Sequence, residues 1–353
     1  MISSVFLFPY YLVLKIRHSL YDKGRIASVQ HPVPVVSVGN VTAGGTGKTP
    51  MVEYLANLLR GSHRVAVLSR GYKRKSKGFR LVETEDTAAL AGDEPLQIKR
   101  KFPDIRVAVD KDRNHGVQQL LALPEEERPD VVLLDDGFQY RKLKPALDIV
   151  LVDYNRPIFQ DNLLPVGHLR DLPEQIRRAG VVVVTKCPRM LDEWERTQFR
   201  QQIRLRADQK LFFATLRQGD PMPVFRWEGD KHYIYSKEVF LFSGVADDRP
   251  LRLFLADRYD RIEHKRFGDH HRFTRADIRR LRAYARRNPR TLLLTTEKDA
   301  QRLLHCRWLD EEVRRRLFYV PVEHEFLTWD ETLAFEALIR GELPAKPADG
   351  RLF

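Results

Sequence analysis

The sequence has 353 residues, of which 43% are hydrophobic and 31% charged, and this balance predicts a soluble globular protein of one large or two moderate α/β domains. Its two cysteines, Cys187 and Cys306, lie far apart without metal-site or disulfide spacing, which excludes a disulfide-rich scaffold and favours a reducing compartment. The net charge of +13 predicts an anionic partner, but charge alone leaves nucleic acid, anionic lipid and phosphorylated substrates open.

Residues 5–14 form an apolar and aromatic run, VFLFPYYLVL, which is followed by a cationic flank. The run is too short to span a bilayer as a helix, Pro9 interrupts it, and it lacks the features of a signal peptide. Such a segment either lies in the headgroup region of a membrane or packs as a helix on the protein's own core. We predict a membrane-associated helix over residues 1–30.

Apolar, β-branched runs then alternate with helical patterns, which predicts a mostly parallel sheet sandwiched by helices. The first strand is predicted at residues 33–38, and a stripe of apolar side chains at 49–60 predicts a helix after it. Further strands are predicted at residues 65–68, 105–109, 131–134, 149–152 and 181–185. These runs are apolar almost throughout, as strands covered on both faces should be.

A second, smaller α/β domain is predicted beyond a helix at residues 192–206, because the sequence then becomes rich in turn residues. Its elements are predicted as a strand at 239–245, a helix at 274–287 and strands at 291–295 and 317–322. The predicted division is the N-terminal helix at 1–30, a first domain at 31–215, a linker at 216–235, the smaller domain at 236–322 and a C-terminal segment at 323–353.

The strongest motif is AGGTGKT at residues 43–49, which follows the first predicted strand and opens a helix. Glycines let the backbone wrap around phosphates, and a helix N-terminus adds partial positive charge. Lys48 is placed to reach the β- and γ-phosphates of a nucleotide, and Thr49 to bind Mg²⁺. The strict pattern has a glycine where this chain has Thr42, so the motif is a variant P-loop. The predicted nucleotide-binding residues are Gly44, Gly45, Thr46, Gly47, Lys48 and Thr49.

A second motif, VVLLDD at residues 131–136, is a buried strand that ends in two carboxylates. The carboxyl ends of parallel strands lie at one edge of a sheet, so Asp135 and Asp136 are predicted to hold Mg²⁺ beside the P-loop. The segment SRGY, which ends in Tyr72, closes the second predicted strand and belongs to the same edge.

Four other motifs are ambiguous from their residues alone. The carboxylate pair of GDEP at 92–95 is either functional or a helix N-cap. The pair at 112–113 is a phosphate clamp or a surface ion pair, and 164–171 is a loop rich in polar groups. The run at 269–271 is a metal site, a base or a solvated loop, although three consecutive side chains cannot all face one metal ion.

The ordered motifs VGNVTAGGTGKTP, SRGY, GDEP, DR, DDGFQ, LLPVGHLRD, DHH and TTEKDA resemble the tetraacyldisaccharide 4'-kinase family over residues 38–300. The resemblance implies transfer of the γ-phosphate of ATP to the 4'-hydroxyl of a tetraacylated glucosamine disaccharide 1-phosphate in lipid A biosynthesis. It also implies a P-loop domain, a smaller α/β domain and an N-terminal helix that helps the enzyme sit on the inner membrane.

Carried over to this chain, the resemblance implies that Asp93 and His270 together activate the sugar hydroxyl while Lys48 holds the phosphates. It implies that Mg²⁺ is bound by Thr49, Asp135, Asp136 and Glu94. It implies a substrate-binding set of Tyr72, Arg113, Arg170, Asp171 and Asp269. The chain departs from the family's usual residues at three positions: it has Tyr140 in place of His, Asp171 in place of Glu and Lys73 in place of Gly. The change at Asp171 shortens that side chain by one methylene.

Two other classes of protein were weighed. A P-loop GTPase or metal-delivery NTPase usually carries Asn-Lys-x-Asp at a strand end, and residues 185–188 read TKCP. A nucleic-acid-binding protein would use the positive charge, but no helix-turn-helix, zinc or aromatic RNA-binding motif is present in the sequence. We therefore predict a monomeric kinase at the cytoplasmic face of the inner membrane, with ATP, Mg²⁺ and an acylated disaccharide as its ligands and no nucleic acid partner.

Overall fold

The computed structural model describes residues 2–225, 230–245, 247–269 and 271–343. Its strands are β1 (Val35–Gly39), β2 (Val65–Ser69), β3 (Arg80–Leu81), β4 (Arg106–Val109), β5 (Val131–Asp135), β6 (Leu147–Asp153), β7 (Val181–Thr185), β8 (Lys210–Gln218), β9 (Met222–Pro223), β10 (Glu238–Ser243), β11 (Arg261–Arg266), β12 (Leu292–Thr296), β13 (Leu317–Val320) and β14 (Val322–Phe326).

The helices follow the same order along the chain. They are α1 (Ile2–Asp22), α2 (Lys48–Leu59), α3 (Ala88–Ala91), α4 (Asp93–Lys101), α5 (Arg113–Leu121), α6 (Glu193–Ile203), α7 (Arg249–Ala256), α8 (Arg275–Arg287), α9 (Glu297–Leu303), α10 (Glu311–Arg316) and α11 (Trp329–Gly341). Short 3₁₀ turns lie at Ile158–Gln160, Pro173–Arg178 and Lys231–Tyr235.

The larger sheet has nine strands in the order β14–β8–β7–β6–β1–β5–β2–β4–β3. Its edge pairs β14–β8 and β3–β4 are antiparallel, and the pairs between them are parallel. The predicted α/β class with a mostly parallel sheet is therefore confirmed. Because β1 lies between β5 and β6, the loop after β1 leaves from the centre of the carboxyl edge, where ligands bind in open parallel sheets.

Helices cover both faces of this sheet because strand side chains alternate between the faces. Val36 and Val38 pack in one buried cluster with residues of α2, α4 and α11. Val35 belongs to a cluster on the opposite face with residues of α5, and a third cluster contains residues of α1 and α6. The apolar stripe of α2 is fully buried, so the helix that begins at the P-loop is anchored firmly on the sheet.

The smaller sheet has five strands in the order β11–β10–β12–β13–β9, with β9 antiparallel to β13. Its own apolar cluster includes Phe242 of β10, Leu281 of α8 and Leu293 of β12. The chain crosses between the sheets through β8 and β14, which pair antiparallel with each other in the larger sheet. The division into domains given above stays a prediction, and the structure adds that β14 and α11 return to the larger sheet.

The N-terminal helix α1 continues through Pro9. Leu14 and His18, one turn apart, are buried against the first domain, whereas Leu12 and Val13 point to solvent. In the part of the chain that the structure describes, none of the helices combines the length and apolar character needed to cross a bilayer. The membrane-interface location of α1 stays a prediction.

Candidate active site

The glycine-rich loop joins β1 to α2. Gly44 and Gly47 have φ angles of +103° and +90°, in the left-handed region where a Cβ causes strain. A Cβ on Gly47 would also lie 3.0 Å from Nε2 of His324. Gly47 is the N-cap of α2, and Lys48 and Thr49 begin the helix. The loop therefore has the strand–glycine loop–helix geometry that suits phosphate groups.

Hydrogen bonds from the ends of β1 and β7 and from the middle of β14 hold this loop. Asn40 Nδ2 donates to Oγ1 of Thr46 at 2.8 Å, and Thr185 Oγ1 donates to the Thr46 carbonyl at 2.8 Å. His324 Nε2 donates to the Gly47 carbonyl at 2.9 Å. Burial lowers the pKa of His324 to about 4, so its ring is neutral near pH 7. Asn40, Thr185 and His324 were not predicted, because only the folded sheet brings these strands to one loop.

The two carboxylates at the end of β5 have different surroundings. Asp135 is buried, and Ser69 Oγ donates to its Oδ2 at 3.3 Å. Asp136, which has a φ of +57°, lies with Oδ1 3.6 Å from Nζ of Lys48. Arg170 donates to both oxygens of Asp136, with Nη1 3.0 Å from Oδ2. The P-loop lysine and a distant arginine thus converge on one carboxylate.

The pKa values of these aspartates move in opposite directions. Burial raises the pKa of Asp135 to about 7, and the charges of Glu94 and Asp136 act in the same direction. Burial also acts to raise the pKa of Asp136, but Lys48 and Arg170 outweigh it, so that pKa lies well below its ordinary value. The mutual repulsion of Glu94, Asp135 and Asp136 disfavours the ionised form of Asp135, and a cation bound beside it would favour that form.

The predicted metal ligands fit Mg²⁺ by chemistry. Asp135, Asp136 and Glu94 offer carboxylate oxygens, and Thr49 offers a hydroxyl in the first turn of α2, all hard donors that Mg²⁺ prefers. Within the described ranges, no three His, Cys, Asp or Glu side chains form a metal cage on their own. In phosphoryl-transfer sites Mg²⁺ takes one or two carboxylates together with water and substrate phosphates, and the ligand set of this chain stays a prediction.

Helix α9, which follows β12 of the smaller sheet, brings two cations to the start of α4. Lys298 Nζ lies 2.5 Å from Glu94 Oε1, and Arg302 Nη2 lies 2.6 Å from Asp93 Oδ2. Arg302 also pairs with Asp299 at 2.7 Å. The N-cap of α4 is Gly92, so the alternative interpretation of Asp93 as an N-cap is wrong. The TTEKDA motif marked this helix, but the sequence did not assign roles to Lys298 or Arg302.

The second half of the predicted catalytic pair, His270, lies outside the described residues. Its neighbour Asp269 is described. The negative charges of Asp93 and Asp269 both raise the pKa of Arg302, whereas burial acts to lower it. His271 contacts Asp277 at 3.0 Å and stacks on a phenylalanine ring. The loop after β11 and the start of α4 therefore approach the same guanidinium, and the catalytic pair itself stays a prediction.

Arg113 and Tyr72 occupy different environments. Arg113 begins α5 and is 4% exposed. Burial lowers the pKa of Arg113, and the negative charge of Asp136 partly offsets this effect. Its guanidinium lies 5.4 Å from the ring centre of Tyr140, whose hydroxyl donates to the N-cap Asp112 at 2.8 Å. Asp112 is thus a helix cap, whereas Arg113 is held within electrostatic reach of the acidic strand end. Tyr72 is 60% exposed beside the carboxyl edge of β2.

Asp171 points away from this cluster. It is 0% exposed, and its Oδ1 lies 2.6 Å from Nε2 of His18 on α1. A side chain buried in this way is inconsistent with direct contact to a substrate, although Arg170, the preceding residue, does face the site. The shorter carboxylate noted in the sequence reaches α1 and not the acidic cluster.

The lysine of the P-loop lies against the acidic end of β5, and helix α9 of the smaller sheet supplies cations to α4. This is the arrangement of a P-loop phosphotransferase. Comparison with known proteins identifies the particular kind. The family model described as tetraacyldisaccharide-1-P 4'-kinase (LpxK) matches residues 2–343. The chain belongs to this family of kinases, as its motifs predicted.

Relatives match over nearly the whole chain. The tetraacyldisaccharide 4'-kinase of Parabacteroides distasonis is 41% identical over 95% of this chain and 92% of its own length. The enzyme of the same name from Flavobacterium johnsoniae is 39% identical over 91% and 92%. The crystal structure of LpxK from Aquifex aeolicus in complex with ATP is 31% identical, covers 98% of this chain and 100% of its own, and superposes with a TM-score of 0.73.

Proposed function

We propose that this kinase transfers the γ-phosphate of ATP to the 4'-hydroxyl of a tetraacylated glucosamine disaccharide 1-phosphate, the step that this family name describes. The observation that carries the proposal is the approach of Lys48 Nζ to within 3.6 Å of Asp136 Oδ1, directly below the glycine-rich loop. This geometry puts a cation and a carboxylate where the terminal phosphates and their metal ion bind in P-loop enzymes. The name and ligand of the Aquifex aeolicus relative support ATP as the donor.

The residues have separate tasks in this scheme. The loop Gly44–Gly47 wraps the phosphates, Lys48 neutralises charge on the transferring phosphoryl group, and Arg170 fixes the orientation of Asp136. Mg²⁺, when held by Thr49, Asp135, Asp136 and Glu94, supplies further neutralisation of phosphate charge. Catalysis is then mainly positioning and electrostatic stabilisation along an in-line path.

The acceptor hydroxyl needs a proton acceptor, because a sugar hydroxyl is a poor nucleophile at neutral pH. We assign this task to Asp93 and His270 acting together. Arg113, Arg170, Tyr72 and Asp269 are proposed to line the acceptor side, where cations favour the phosphate that the disaccharide already carries. Arg302 supports the pair, since its ion pair with Asp93 at 2.6 Å fixes one carboxylate oxygen.

Helix α1 is proposed to lie at the cytoplasmic face of the inner membrane. Phe8, Leu12, Val13 and Ile16 are exposed by 42 to 62%, and they share one side of the helix. The positive net charge of +13 favours an anionic membrane surface. The protein is proposed to act as a monomer without a nucleic acid partner.

The test is incubation of the purified chain with labelled ATP, Mg²⁺ and the disaccharide 1-phosphate in detergent. We expect a bis-phosphorylated lipid, no product with GTP, and no product when Mg²⁺ is chelated. Hydrolysis of nucleotide without transfer, or equal use of GTP, would favour the NTPase alternative. Against that alternative, residues 185–188 read TKCP and lack the Asn and Asp of a guanine-specific strand end.

A further inference from the structure

Helix α1 is fastened to two loops of the active site by its buried side. Tyr10 Oη donates to the Arg170 carbonyl at 3.0 Å, and Arg17 Nη2 donates to the Gln139 carbonyl at 2.9 Å. His18, the residue after Arg17, contacts Asp171 at 2.6 Å. These contacts connect a helix near the N-terminus to the loop after β5 and to the loop at residues 163–171.

His18 has one chemically consistent arrangement in this environment. The Arg141 guanidinium, which can only donate, lies with Nη1 3.0 Å from Nδ1 of His18. Nδ1 must therefore accept, and Nε2 carries the proton that it donates to Oδ1 of Asp171. Arg141 also donates to the His18 carbonyl at 3.2 Å and pairs with Asp22. Both ring nitrogens of this buried histidine are thus used, which fixes the orientation of the ring.

The residue next to Asp171 connects this arrangement to the phosphate site. Arg170 donates to both oxygens of Asp136 and to Oδ1 of Asn40. Asn40 in turn donates to Thr46 of the P-loop. Because Asp171 is buried and its carboxylate is held by His18, the backbone at residues 170–171 is fixed from the side of α1. The guanidinium of Arg170 is thereby aimed at Asp136.

We propose that His18 is a positioning residue for phosphoryl transfer. It fixes Asp171, and through the adjacent backbone it holds Arg170 on Asp136 beside Lys48. Helix α1, whose exposed side is proposed to face the membrane, therefore also supports the active site with its buried side. This inference rests on the proposed kinase function, because its effect is measured on phosphoryl transfer.

The experiment compares two substitutions that differ in reach. In His18→Asn the amide lies near the position of Nδ1, so the contact with Arg141 can persist while the contact with Asp171 is lost. In His18→Gln the amide nitrogen reaches the position of Nε2 and restores the donor to Asp171. We expect kcat to fall by about tenfold to a hundredfold in the Asn variant, as for a small misplacement of a catalytic group. The Gln variant should recover most of that loss, with KM for ATP little changed in either.

A control separates positioning from general destabilisation. Arg316 is 1% exposed and donates to the carbonyl of Ala285 in α8 at 2.7 Å and to that of Thr291, directly before β12, at 2.6 Å. Arg316→Lys should lower thermal stability while leaving kcat of the folded enzyme unchanged. Detergent-dispersed substrate at saturation removes any contribution from recruitment to a membrane.

A double-mutant cycle with Arg170→Ala completes the test. If His18 acts through Arg170, the His18→Asn substitution should add little to the loss in the Arg170→Ala background. Multiplicative losses, or equal kcat values for the Asn and Gln variants, would overturn the inference. Absence of transfer by the unaltered enzyme would instead overturn the proposed function, so the two failures are distinguishable.

Discussion

At the scale of single residues, the active site depends on how charges are shared around Asp136. Lys48 approaches it from the P-loop and Arg170 from a loop far along the chain, and together they keep it ionised while Asp135 beside it has a pKa of about 7. Two neighbouring aspartates therefore differ in protonation because of their partners and not because of their identity. A substitution at either cation changes the electrostatics of the whole phosphate site.

Lys48→Ala should abolish turnover and leave the fold intact. The Lys48 side chain is 18% exposed and pairs with Asp136, so its loss removes a positive charge from the phosphate site. Loss of one preorganised donor to the transition state typically costs about a hundredfold to a thousandfold in kcat. Steady-state kinetics and circular dichroism would measure both effects. Lys210→Ala, at an exposed lysine that begins β8, is the matched control, and near-normal activity in folded Lys48→Ala would exclude the P-loop assignment.

Asp93→Ala and His270→Ala should behave as a unit in kcat. If they form one base, the double variant should be little worse than the more damaged single variant. Nucleotide affinity should change little in either. Fully multiplicative losses would indicate separate roles, and a large loss of ATP binding in Asp93→Ala would place that carboxylate with the metal ligands.

At the scale of secondary-structure elements, two segments distant from the P-loop support it. Helix α1 has one side against the loops at residues 139–141 and 170–171, and its other side is exposed to solvent. Strand β14 inserts His324 behind Gly47, which links the connection between the two sheets to the start of α2. Each element can be tested by substitutions at residues that are not among the predicted nucleotide, metal or substrate ligands.

Replacing Leu12, Val13 and Ile16 by serine should weaken membrane binding. These side chains are exposed on α1, and each large apolar side chain that becomes fully buried in lipid contributes roughly 1.5–3 kcal/mol. The triple variant should sediment less with anionic liposomes and show a raised KM for the acylated substrate. Leu253→Ser, at a 72% exposed position on α7, serves as control. If the unaltered protein does not bind liposomes, the predicted membrane role of α1 is wrong.

His324→Gln should reduce the loss of stability in acid. The pKa of His324 is about 4 in the folded protein against an ordinary 6.5, so the unfolded chain binds more protons between these values. The free energy of unfolding therefore falls as pH drops from 6.5 towards 4, by about 2 kcal/mol at pH 5 from this residue. Gln keeps a donor for the Gly47 carbonyl and does not titrate. Thermal unfolding at pH 7 and pH 5 would measure the difference, and an unchanged pH dependence would contradict it.

At the scale of the whole molecule, the contact between α4 and α9 joins the two sheets beside Asp93, which is predicted to be catalytic. Two parallel ion pairs cross it, Lys298 with Glu94 and Arg302 with Asp93. Arg100 of α4 adds hydrogen bonds to Gln301 and His305. Charged contacts of this kind hold a defined geometry when paired, and are costly when one partner is lost.

Arg302→Ala should loosen this contact more than Lys298→Ala. Arg302 is nearly buried between Asp93 and Asp299, so Arg302→Ala breaks two ion pairs in a place that solvent reaches poorly and should cost about 3–5 kcal/mol. The Lys298–Glu94 pair is about one-third exposed, and solvent reduces its contribution. Hydrogen exchange of α4 and α9 would report the change. Equal protection in both variants would show that the apolar contacts, and not the ion pairs, hold the sheets together.

Local patterns were enough to predict the parallel sheet, the P-loop and the acidic end of β5. These patterns are apolar β-branched runs, glycines before a helix, and carboxylates after a strand. Ordered motifs also indicated the family. The tertiary structure alone decided the antiparallel pairing of β8 with β14, the cations that α9 supplies, and the turn of Asp171 towards His18. These features depend on side chains far apart in the chain and on differences in reach as small as one methylene, which no local pattern encodes.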